Sequence, residues 1–473
     1  MRTFTLLMMV LLTAFAPAAM AGGGGGLTMD LTATAAGFLA IGVFVVAYTA
    51  VIFEEQIHMR KSKPVLLAAG VIWIIIAFVY MGTDKRHLVE EGIRHNFLEY
   101  AELFFFLLVA MTYINAMLER GVFDELRNRL VRRGYSYKAL FWLTGVLAFF
   151  ISPIADNLTT ALVMCAVIMA VGRDNPSFIA LGCINIVVSA NAGGAFSPFG
   201  DITTLMVWQK GILDFHEFFA LFIPSVVNFL IPATIMSFAI PKGNPPPLAD
   251  DNAGPAIKRG GMRIVGFFLL TIVTAVSFHN FLHIPPVFGM MFGLVYLKLF
   301  GYYLKTVEKT YAALNDAIPG AAPKRAADGK DKFDIFNKVA QAEWDTLFFF
   351  YGVILAVGGL GFMGYLALAS EFMYVQLGTT TANVLVGILS AIVDNIPVMF
   401  AVLTMQPEMS HSQWLLVTLT AGVGGSMLSI GSAAGVALMG QARGYYTFFA
   451  HLKWTWAIAL GYAASIMVHL AIN

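Results

Sequence analysis

Apolar stretches of about 20 residues recur along almost the whole chain, and this pattern constrains the fold more than any other feature. A helix needs about 20 apolar residues to cross a bilayer, and only helices or closed barrels satisfy their own backbone in lipid. Charged residues make up 12% of the 473 residues, whereas a soluble domain carries about 25%. The pattern predicts an all-α polytopic membrane protein. No basic, aromatic-rich patch lies outside the short loops, so we expect the lipid bilayer as a partner and no nucleic acid.

The N-terminal residues 1–21 are typical of a secretory signal peptide. Arg2 precedes the apolar run Phe4–Phe15, and Ala19-Met20-Ala21 provides a small-x-small cleavage site. Cleavage would place the mature N-terminus outside the cytoplasm. The alternative is an uncleaved extra helix, which Pro17 and the short apolar core disfavour.

Ten further segments are predicted to cross the membrane, and two more segments are apolar but broken by polar residues. The predicted crossings lie at about 30–53, 65–81, 98–119, 177–209, 218–240, 264–282, 285–304, 343–369, 413–440 and 453–471. The two broken segments are 139–172, with its break at Ser152–Thr160, and 379–405, with its break at Ser390–Pro397. Each can be either a full span or a re-entrant hairpin.

The distribution of positive charge favours two re-entrant hairpins. With both segments as hairpins, the cytoplasmic gaps hold 23 Lys and Arg residues and the outer gaps hold four. Treating the first segment as a full span instead would move 11 positive charges outside, against the positive-inside bias. Irregular backbone at that depth is tolerated only where protein or a wet cavity covers it. We therefore expect hairpins, with the C-terminus outside.

Three matches in the same order indicate an internal duplication. Glu99–Phe106 resembles Glu343–Phe350, Asp156-Asn157 matches Asp394-Asn395, and Gly193–Gly200 resembles Gly424–Gly431. In the predicted topology the two copies have opposite orientations. Inverted repeats with interrupted helices are typical of secondary transporters, whose binding site lies at mid-membrane.

This pattern divides the chain into five parts. They are the signal peptide (1–21), an N-terminal leader with two crossings (22–94), a first transport repeat (95–240), two crossings with a cytoplasmic linker (241–342), and a second, inverted repeat (343–473). The linker is too short and too poor in apolar residues to form a catalytic domain.

The candidate site consists of polar residues at the hairpin tips and in the interrupted crossings. All of them offer carboxylate, amide or hydroxyl oxygens: Asp156, Asn157, Thr159, Thr160, Asn191, Ser197, Asp201, Thr203, Thr204, Asp394, Asn395, Ser429 and Ser432. Hard oxygen ligands suit Na⁺, Li⁺ or H₃O⁺ and disfavour transition metals. Helix N-termini at the breaks can instead hold an anion, so ligand type alone leaves the substrate open.

Asp156 and Asp201 fall at corresponding depths in the first repeat and are the strongest functional candidates. A carboxylate inside a membrane is costly, and two in one site repel each other, so each is expected to hold either a proton or a cation. Competition for such a site is a sufficient basis for cation/proton exchange. We predict Na⁺ at Asp156, Asn157 and Asp201, and no cofactor.

Two roles are possible for each of the other candidate residues. Asp394 and Asn395 are either ligands or a structural cap within their hairpin. Glu102, Ser152 and Ser390 are assigned to a proton path, although serines in such helices often bond to their own backbone.

The chain resembles the NhaD-type sodium/proton antiporters of the ion transporter superfamily from about residue 95 onwards. The motifs that carry the resemblance are Ser152–Thr160, Asn191–Thr204, Ser390–Pro397 and Gly424–Gly435. The resemblance implies extrusion of cytoplasmic Na⁺ and Li⁺ driven by inward protons, activity at alkaline pH, a role in pH homeostasis and residence in a bacterial inner membrane. It also implies a homodimer with elevator-like movement of the hairpin-containing part.

Two other functions are weighed against this antiporter. The first is an anion (dicarboxylate) or metalloid carrier of the same superfamily, which a Lys or Arg near the hairpin tips would favour. The sequence places neither near the hairpin tips. The second is an intramembrane enzyme or a structural protein. Since no catalytic His, Cys or Ser motif is present, we expect no enzymatic activity.

Overall fold

The computed structural model describes residues 28–172, 175–245, 257–316 and 334–473, and the regular structure within these ranges is helical. Ten of the described helices are long and apolar enough to cross a membrane. The prediction of a polytopic α-helical protein is confirmed. The predicted signal peptide at 1–21 lies outside the described residues, as does the middle of the linker, at 317–333.

The described residues form 21 α-helices. The first ten are α1 (Ala35–Ile52), α2 (Glu54–Ile57), α3 (Ser62–Tyr80), α4 (His87–Glu119), α5 (Val122–Arg132), α6 (Tyr137–Ala155), α7 (Asn157–Val171), α8 (Pro176–Gly194), α9 (Ile202–Gln209) and α10 (Phe222–Ser237). The others are α11 (Gly261–Leu282), α12 (Pro286–Asp316), α13 (Ile335–Ala340), α14 (Trp344–Phe362), α15 (Tyr365–Ser370), α16 (Thr379–Val393), α17 (Asn395–Met405), α18 (His411–Gly424), α19 (Ala433–Gln441), α20 (Phe448–Leu452) and α21 (Thr455–Ile472). Short 3-10 turns lie at Glu217–Leu221 and Gly425–Met427, and a π-helical turn lies at Glu371–Gln376.

Polar residues begin several of the long apolar helices. Side-chain oxygens of Thr34, Ser136, Asn175 and Ser410 accept backbone N–H groups in the first turns of α1, α6, α8 and α18. Such caps satisfy N–H groups that have no partner within the helix. The polar interruptions in the sequence therefore become helix starts.

The ten long helices differ from the ten predicted crossings at one place. The crossing predicted at 413–440 consists of α18 and α19, joined by the irregular segment 425–432, so no single helix there is long enough to span. The predicted crossing 177–209 is likewise divided into α8 and α9, but α8 alone is long enough. The tenth long helix is α6, the first arm of a predicted hairpin.

Each predicted hairpin breaks at a single aspartate. Asp156 separates α6 from α7 with φ of 58°, and Asp394 separates α16 from α17 with φ of 86°. Positive φ is costly for a residue with a side chain and persists only where the surroundings impose it. In each case the two arms contact each other and pack on the same helix, α8 for the first pair and α18 for the second.

The same hydrogen bond anchors both hairpins to the helix beside them. The hydroxyl of Ser152 donates to the carbonyl of Ala190 at 2.6 Å, and the hydroxyl of Ser390 donates to the carbonyl of Ala421 at 2.7 Å. Both serines are fully buried. The two halves thus repeat a specific contact as well as a sequence motif.

Glycine allows each hairpin to approach its neighbouring helix closely. A Cβ atom added at Gly193 would lie 2.2 Å from the carbonyl oxygen of Phe149, and one added at Gly424 would lie 2.2 Å from that of Gly387. No side chain fits at that separation. The backbones of α6 and α8, and of α16 and α18, are therefore in direct contact.

Short helices of each half pack against short helices of the other half. Helix α7 of the first hairpin packs on α19, and α17 of the second hairpin packs on α9. Among the long helices α8 has the largest share of buried residues, 89% of its apolar stretch, whereas the share in α1 is 22%. Elsewhere, α3 packs on α14, and α11 and α12 pack on α4.

Candidate cation-binding site

Asp201 lies at the meeting point of both hairpin tips. Its Oδ1 accepts the backbone N–H of Thr203 at 3.0 Å, because Asp201 caps the start of α9. Its Oδ2 accepts the side-chain amide of Asn157 at 2.9 Å and that of Asn395 at 3.1 Å. The residue is 4% exposed. One buried carboxylate is therefore held by an amide from each hairpin.

Asn191 extends this network to the second interrupted crossing. Its Oδ1 accepts the Asn157 amide at 3.0 Å, and its Nδ2 donates to the hydroxyls of Ser426 and Ser432, each at 2.9 Å. Ser432 also caps α19, with nearly the same backbone dihedrals as Asp201 at the start of α9. The second half thus has a hydroxyl where the first half has a carboxylate.

Asp156 caps its own hairpin arm and faces the same cavity as Asp201. Its Oδ1 accepts the Thr159 N–H at 2.7 Å, and its Oδ2 accepts the Thr159 hydroxyl at 2.9 Å. The cavity is about 320 Å³, and its lining includes Asp156, Asn157 and Asp201. The two carboxylates predicted to act together thus line one cavity.

Charged and amide side chains line the same cavity. They are Asp124 and Arg127 of α5, Glu343, and the amides of Asn115, Gln341 and Gln441. The cavity is partly open to the surface, so the two carboxylates are not fully enclosed.

The remaining predicted ligands fall into three groups. Ser197 and Thr204 donate to backbone carbonyls, those of Pro153 and of Ser197 and Asp201 respectively, so their hydroxyls stabilise the irregular segment before α9. Thr160 and Ser429 have buried hydroxyls with no hydrogen-bond partner among the described residues. Thr203 contributes its N–H to Asp201.

The residues assigned to a proton path are not brought together. Ser152 and Ser390 bond to backbone carbonyls. Glu102 lines a second cavity of about 440 Å³, which does not include Asp156 or Asp201. The other residues of that cavity are Gln209, Asp214, His216, His279, Asn280, His283, Pro285 and Pro286.

Lys61 reaches the second hairpin tip, a position that the sequence motifs left without a basic residue. Its Nζ lies 3.7 Å from Oδ2 of Asp394 and 4.4 Å from the centroid of the Phe349 ring. Asp394 is 7% exposed. The expectation that no Lys or Arg lies near the hairpin tips is therefore wrong, because Lys61 reaches the second tip from the loop before α3.

His451 is a second residue that the sequence did not indicate. Its Nε2 lies 2.8 Å from the carbonyl oxygen of Ser426, and its Nδ1 lies 2.7 Å from the Tyr446 hydroxyl. The histidine is fully buried. It therefore supports the irregular segment whose serine hydroxyls bind Asn191. A lone histidine in an apolar stretch gives no signal of this role.

The positive ends of helices at the site are partly neutralised by the chain itself. Helices α7, α9 and α19 begin here, and Asp156, Asp201 and Ser432 accept N–H groups of their first turns. Helix N-termini attract negative charge. Since two carboxylates already occupy these ends, the cavity presents oxygen atoms to a ligand, an arrangement that favours a cation.

Comparison with known proteins identifies close relatives. A family model described as a citrate transporter matches residues 4–422. The chain is 59% identical to the Na(+)/H(+) antiporter NhaD of Alkalimonas amylolytica over 449 residues, covering 94% of this chain and 92% of that protein. It is 56% identical to the Na(+)/H(+) antiporter NhaD of Vibrio cholerae, covering 98% and 97%. Sodium/proton antiporter 1 of Arabidopsis thaliana is 31% identical, covering 91% of this chain and 72% of that protein.

Proposed function

The chain belongs to the family of the NhaD Na⁺/H⁺ antiporters, and we propose that it is a secondary active antiporter that exchanges cytoplasmic Na⁺ and Li⁺ for external H⁺. One observation carries the proposal. The buried carboxylate of Asp201 is held by amides of both hairpin tips and lines a cavity together with the carboxylate of Asp156. Exchange then follows from competition between a proton and a cation for these oxygens.

The chemistry of the site supports a hard monovalent cation. Carboxylate, amide and hydroxyl oxygens are suitable ligands for such ions. Two carboxylates that share a cavity repel each other, and a bound proton or a bound Na⁺ relieves that repulsion. Where a proton and a Na⁺ compete for the same carboxylate oxygens, binding of one displaces the other, and this coupling is the requirement for exchange.

The two halves differ in a way that supports an inward-open state. Asp124, Arg127 and Glu343 line the open cavity, and the charge distribution of the sequence predicts the cytoplasm on that side. In the first half, the residues equivalent to Glu343 and Gln441 are Glu99 and Lys210, which form an ion pair. Glu343 and Gln441 themselves line the open cavity. We therefore assign the Glu99–Lys210 pair to the closed, external side.

An aromatic cluster supports the same assignment. Phe106 and Phe199 line the open cavity, and Trp208 packs against both. The Trp208 ring also lies 5.3 Å from His279, which lines the second cavity. These rings separate the two cavities. The second cavity would then be the external approach, with Glu102 in its wall.

The cellular setting is part of the proposal. The long apolar helices make the chain a multi-pass membrane protein, and bacterial relatives share nearly its whole length. We assign it to a bacterial inner membrane, with the signal peptide removed and both termini outside. A homodimer is expected, with the hairpins moving against the α1–α3 and α11–α12 helices.

Everted membrane vesicles with an acid interior test this function directly. Na⁺, Li⁺, K⁺ and succinate are added separately at neutral and alkaline pH while a dye reports the internal pH. We expect Na⁺ and Li⁺ to alkalinise the interior, and Asp156→Asn and Asp201→Asn to abolish the response. The exposed Asp84 provides a matched control, since Asp84→Asn should retain it. A folded protein with no cation response would exclude the antiporter.

The anion carrier is the second outcome of the same experiment. The description of the matching family model names citrate, and helix N-termini can bind carboxylates. Lys61, which lies at the second hairpin tip, is paired with Asp394. A response to succinate without a response to Na⁺ would favour the anion carrier.

A further inference from the structure

The two hairpin tips match at the aspartate and the asparagine but differ in the donors that follow them. Asp156-Asn157 and Asp394-Asn395 share a positive φ at the aspartate and an amide bonded to Asp201. The residue three positions after the aspartate is Thr159 in the first tip and Pro397 in the second. Proline has neither a backbone N–H nor a hydroxyl. Asp394 therefore lacks both donors that Thr159 gives to Asp156.

Lys61 supplies a charge where those two donors are missing. Its Nζ lies 3.7 Å from Asp394 Oδ2, and the lysine side chain is 14% exposed. The neighbouring Ser62 hydroxyl donates to Asp345, and the Lys61 ammonium lies over the Phe349 ring. Two contacts of Lys61 and one of the adjacent Ser62 therefore hold the lysine at the tip. A buried carboxylate without a counter-charge is strongly disfavoured.

The pair lies beside the exchange site but outside its cavity. Asp156 and Asp201 line the cavity, whereas neither Lys61 nor Asp394 is part of its lining. The residue equivalent to Asp201 in the second half is Ser432, which is uncharged. The tip of the second half therefore has one intramembrane carboxylate, Asp394, and the Lys61 ammonium is already paired with it.

We propose that Lys61 is a resident cation that occupies the second tip permanently, so that Asp394 binds no transported ion. The antiporter then has one exchange site, formed around Asp156 and Asp201. This inference rests on the proposed antiport function. It assigns Lys61 as a positioning residue, because its ammonium holds the tip from which Asn395 reaches Asp201.

A double-variant cycle tests the pair. Lys61→Met and Asp394→Asn each leave one buried charge unpaired, so each should reduce Na⁺-dependent exchange about tenfold or more. The double variant removes both charges, and its exchange should return to within about threefold of the unmodified protein. Lys61→Arg keeps the charge and should remain active. Lys63→Met is the matched control, because Lys63 is exposed in the same segment.

Two measurements make the result decisive. In proteoliposomes, the number of protons exchanged per Na⁺ should be the same for the double variant and the unmodified protein. A folded double variant with no exchange, or with a changed ratio, would overturn the proposal, because Asp394 would then carry an ion.

In thermal melts of purified protein, the double variant should lose less stability than the two single variants combined. Additive losses would also overturn it.

The thermal measurement separates this inference from the antiport function. If the unmodified protein exchanged no Na⁺ for H⁺, the proposed function would fail whatever the variants did. A non-additive melting cycle would still establish the pair, and an additive cycle in an active antiporter would reject the pair alone.

Discussion

The Nδ2 atom of Asn395 lies 3.1 Å from Oδ2 of Asp201, so an amide of the second hairpin binds the carboxylate that caps a helix of the first half. The same oxygen accepts the amide of Asn157 at 2.9 Å. Hydrogen bonds to a charged group are stronger than those between neutral groups. Movement of either hairpin relative to α9 would therefore change how well the charge on Asp201 is stabilised, and with it the competition between proton and cation.

The first prediction concerns these two amides. Asn157→Leu and Asn395→Leu remove one donor each from a buried carboxylate, and a hydrogen bond to a charged group contributes about 1.5–3 kcal/mol. We expect the Na⁺ concentration for half-maximal exchange to change by about tenfold or more. Measurement in everted vesicles checks this. Asn337 is exposed, so Asn337→Leu should have no effect. Unchanged Na⁺ dependence in both variants would remove the amides from the site.

The sequence predicted the elements of this site but not their contacts. A polar break inside an apolar stretch is visible without a structure, and both breaks became single aspartates at helix ends. Which amide meets which carboxylate depends on α17 packing against α9. Those helices come from different halves of the chain, so no local pattern encodes their contact. The convergence on Asp201 therefore required the structure.

Two kinds of side chain have partners that the sequence does not predict. The sequence predicts the hydroxyls of Ser197 and Thr204 as ligands. In the structure both donate to backbone carbonyls, as Ser and Thr hydroxyls often do. Lys61 was placed in a cytoplasmic gap, yet it reaches a tip more than 300 positions away in the chain. The one local indication was Pro397, whose missing N–H leaves Asp394 in need of another partner.

The second prediction concerns the glycines between hairpins and helices. Gly193→Ala and Gly424→Ala would each place a methyl group 2.2 Å from a carbonyl oxygen. The hairpin must shift, at a cost of about 1–3 kcal/mol in the free energy of unfolding. We expect lower melting temperatures and strongly reduced exchange. Gly70 has open space around it, and Gly70→Ala is the control. An unaffected Gly193→Ala protein would show that the hairpin can move without loss.

The third prediction concerns the aromatic cluster between the two cavities. Phe199→Ala and Trp208→Ala remove rings that pack 5.6 Å apart, and each should leave a gap that water can enter. We expect a proton leak in proteoliposomes without Na⁺, together with a loss of about 3–5 kcal/mol of stability. The leak is measured as dye recovery after an imposed pH gradient. Phe105 is 42% exposed, and Phe105→Ala should remain tight. Tight Phe199→Ala and Trp208→Ala proteins would place the barrier elsewhere.

The fourth prediction concerns the ion pair of Lys210 and Glu99, whose side chains are 25% and 16% exposed. Lys210→Gln gives the first half the residue that the second half has at Gln441, beside the open cavity. We expect the second cavity to open more often, by about two- to fivefold, since partly exposed pairs contribute up to about 1 kcal/mol. Thiol labelling of an Asn280→Cys variant measures this, because Asn280 lines that cavity and both native cysteines are buried.

Two further variants make that labelling experiment specific. Arg94 pairs with Glu90 on the same helix as Glu99, but both side chains are largely exposed. Arg94→Gln should therefore leave the labelling rate unchanged. Gln441→Lys should do the reverse of Lys210→Gln. The equivalent residues Lys210 and Glu99 form an ion pair, and we expect a lysine at 441 to pair in the same way with Glu343, which lines the same cavity. Labelling of Asn280→Cys would then not rise, and labelling of a Thr346→Cys variant in the open cavity would fall. Equal labelling rates in all variants would show that the Lys210–Glu99 ion pair does not control access to either cavity.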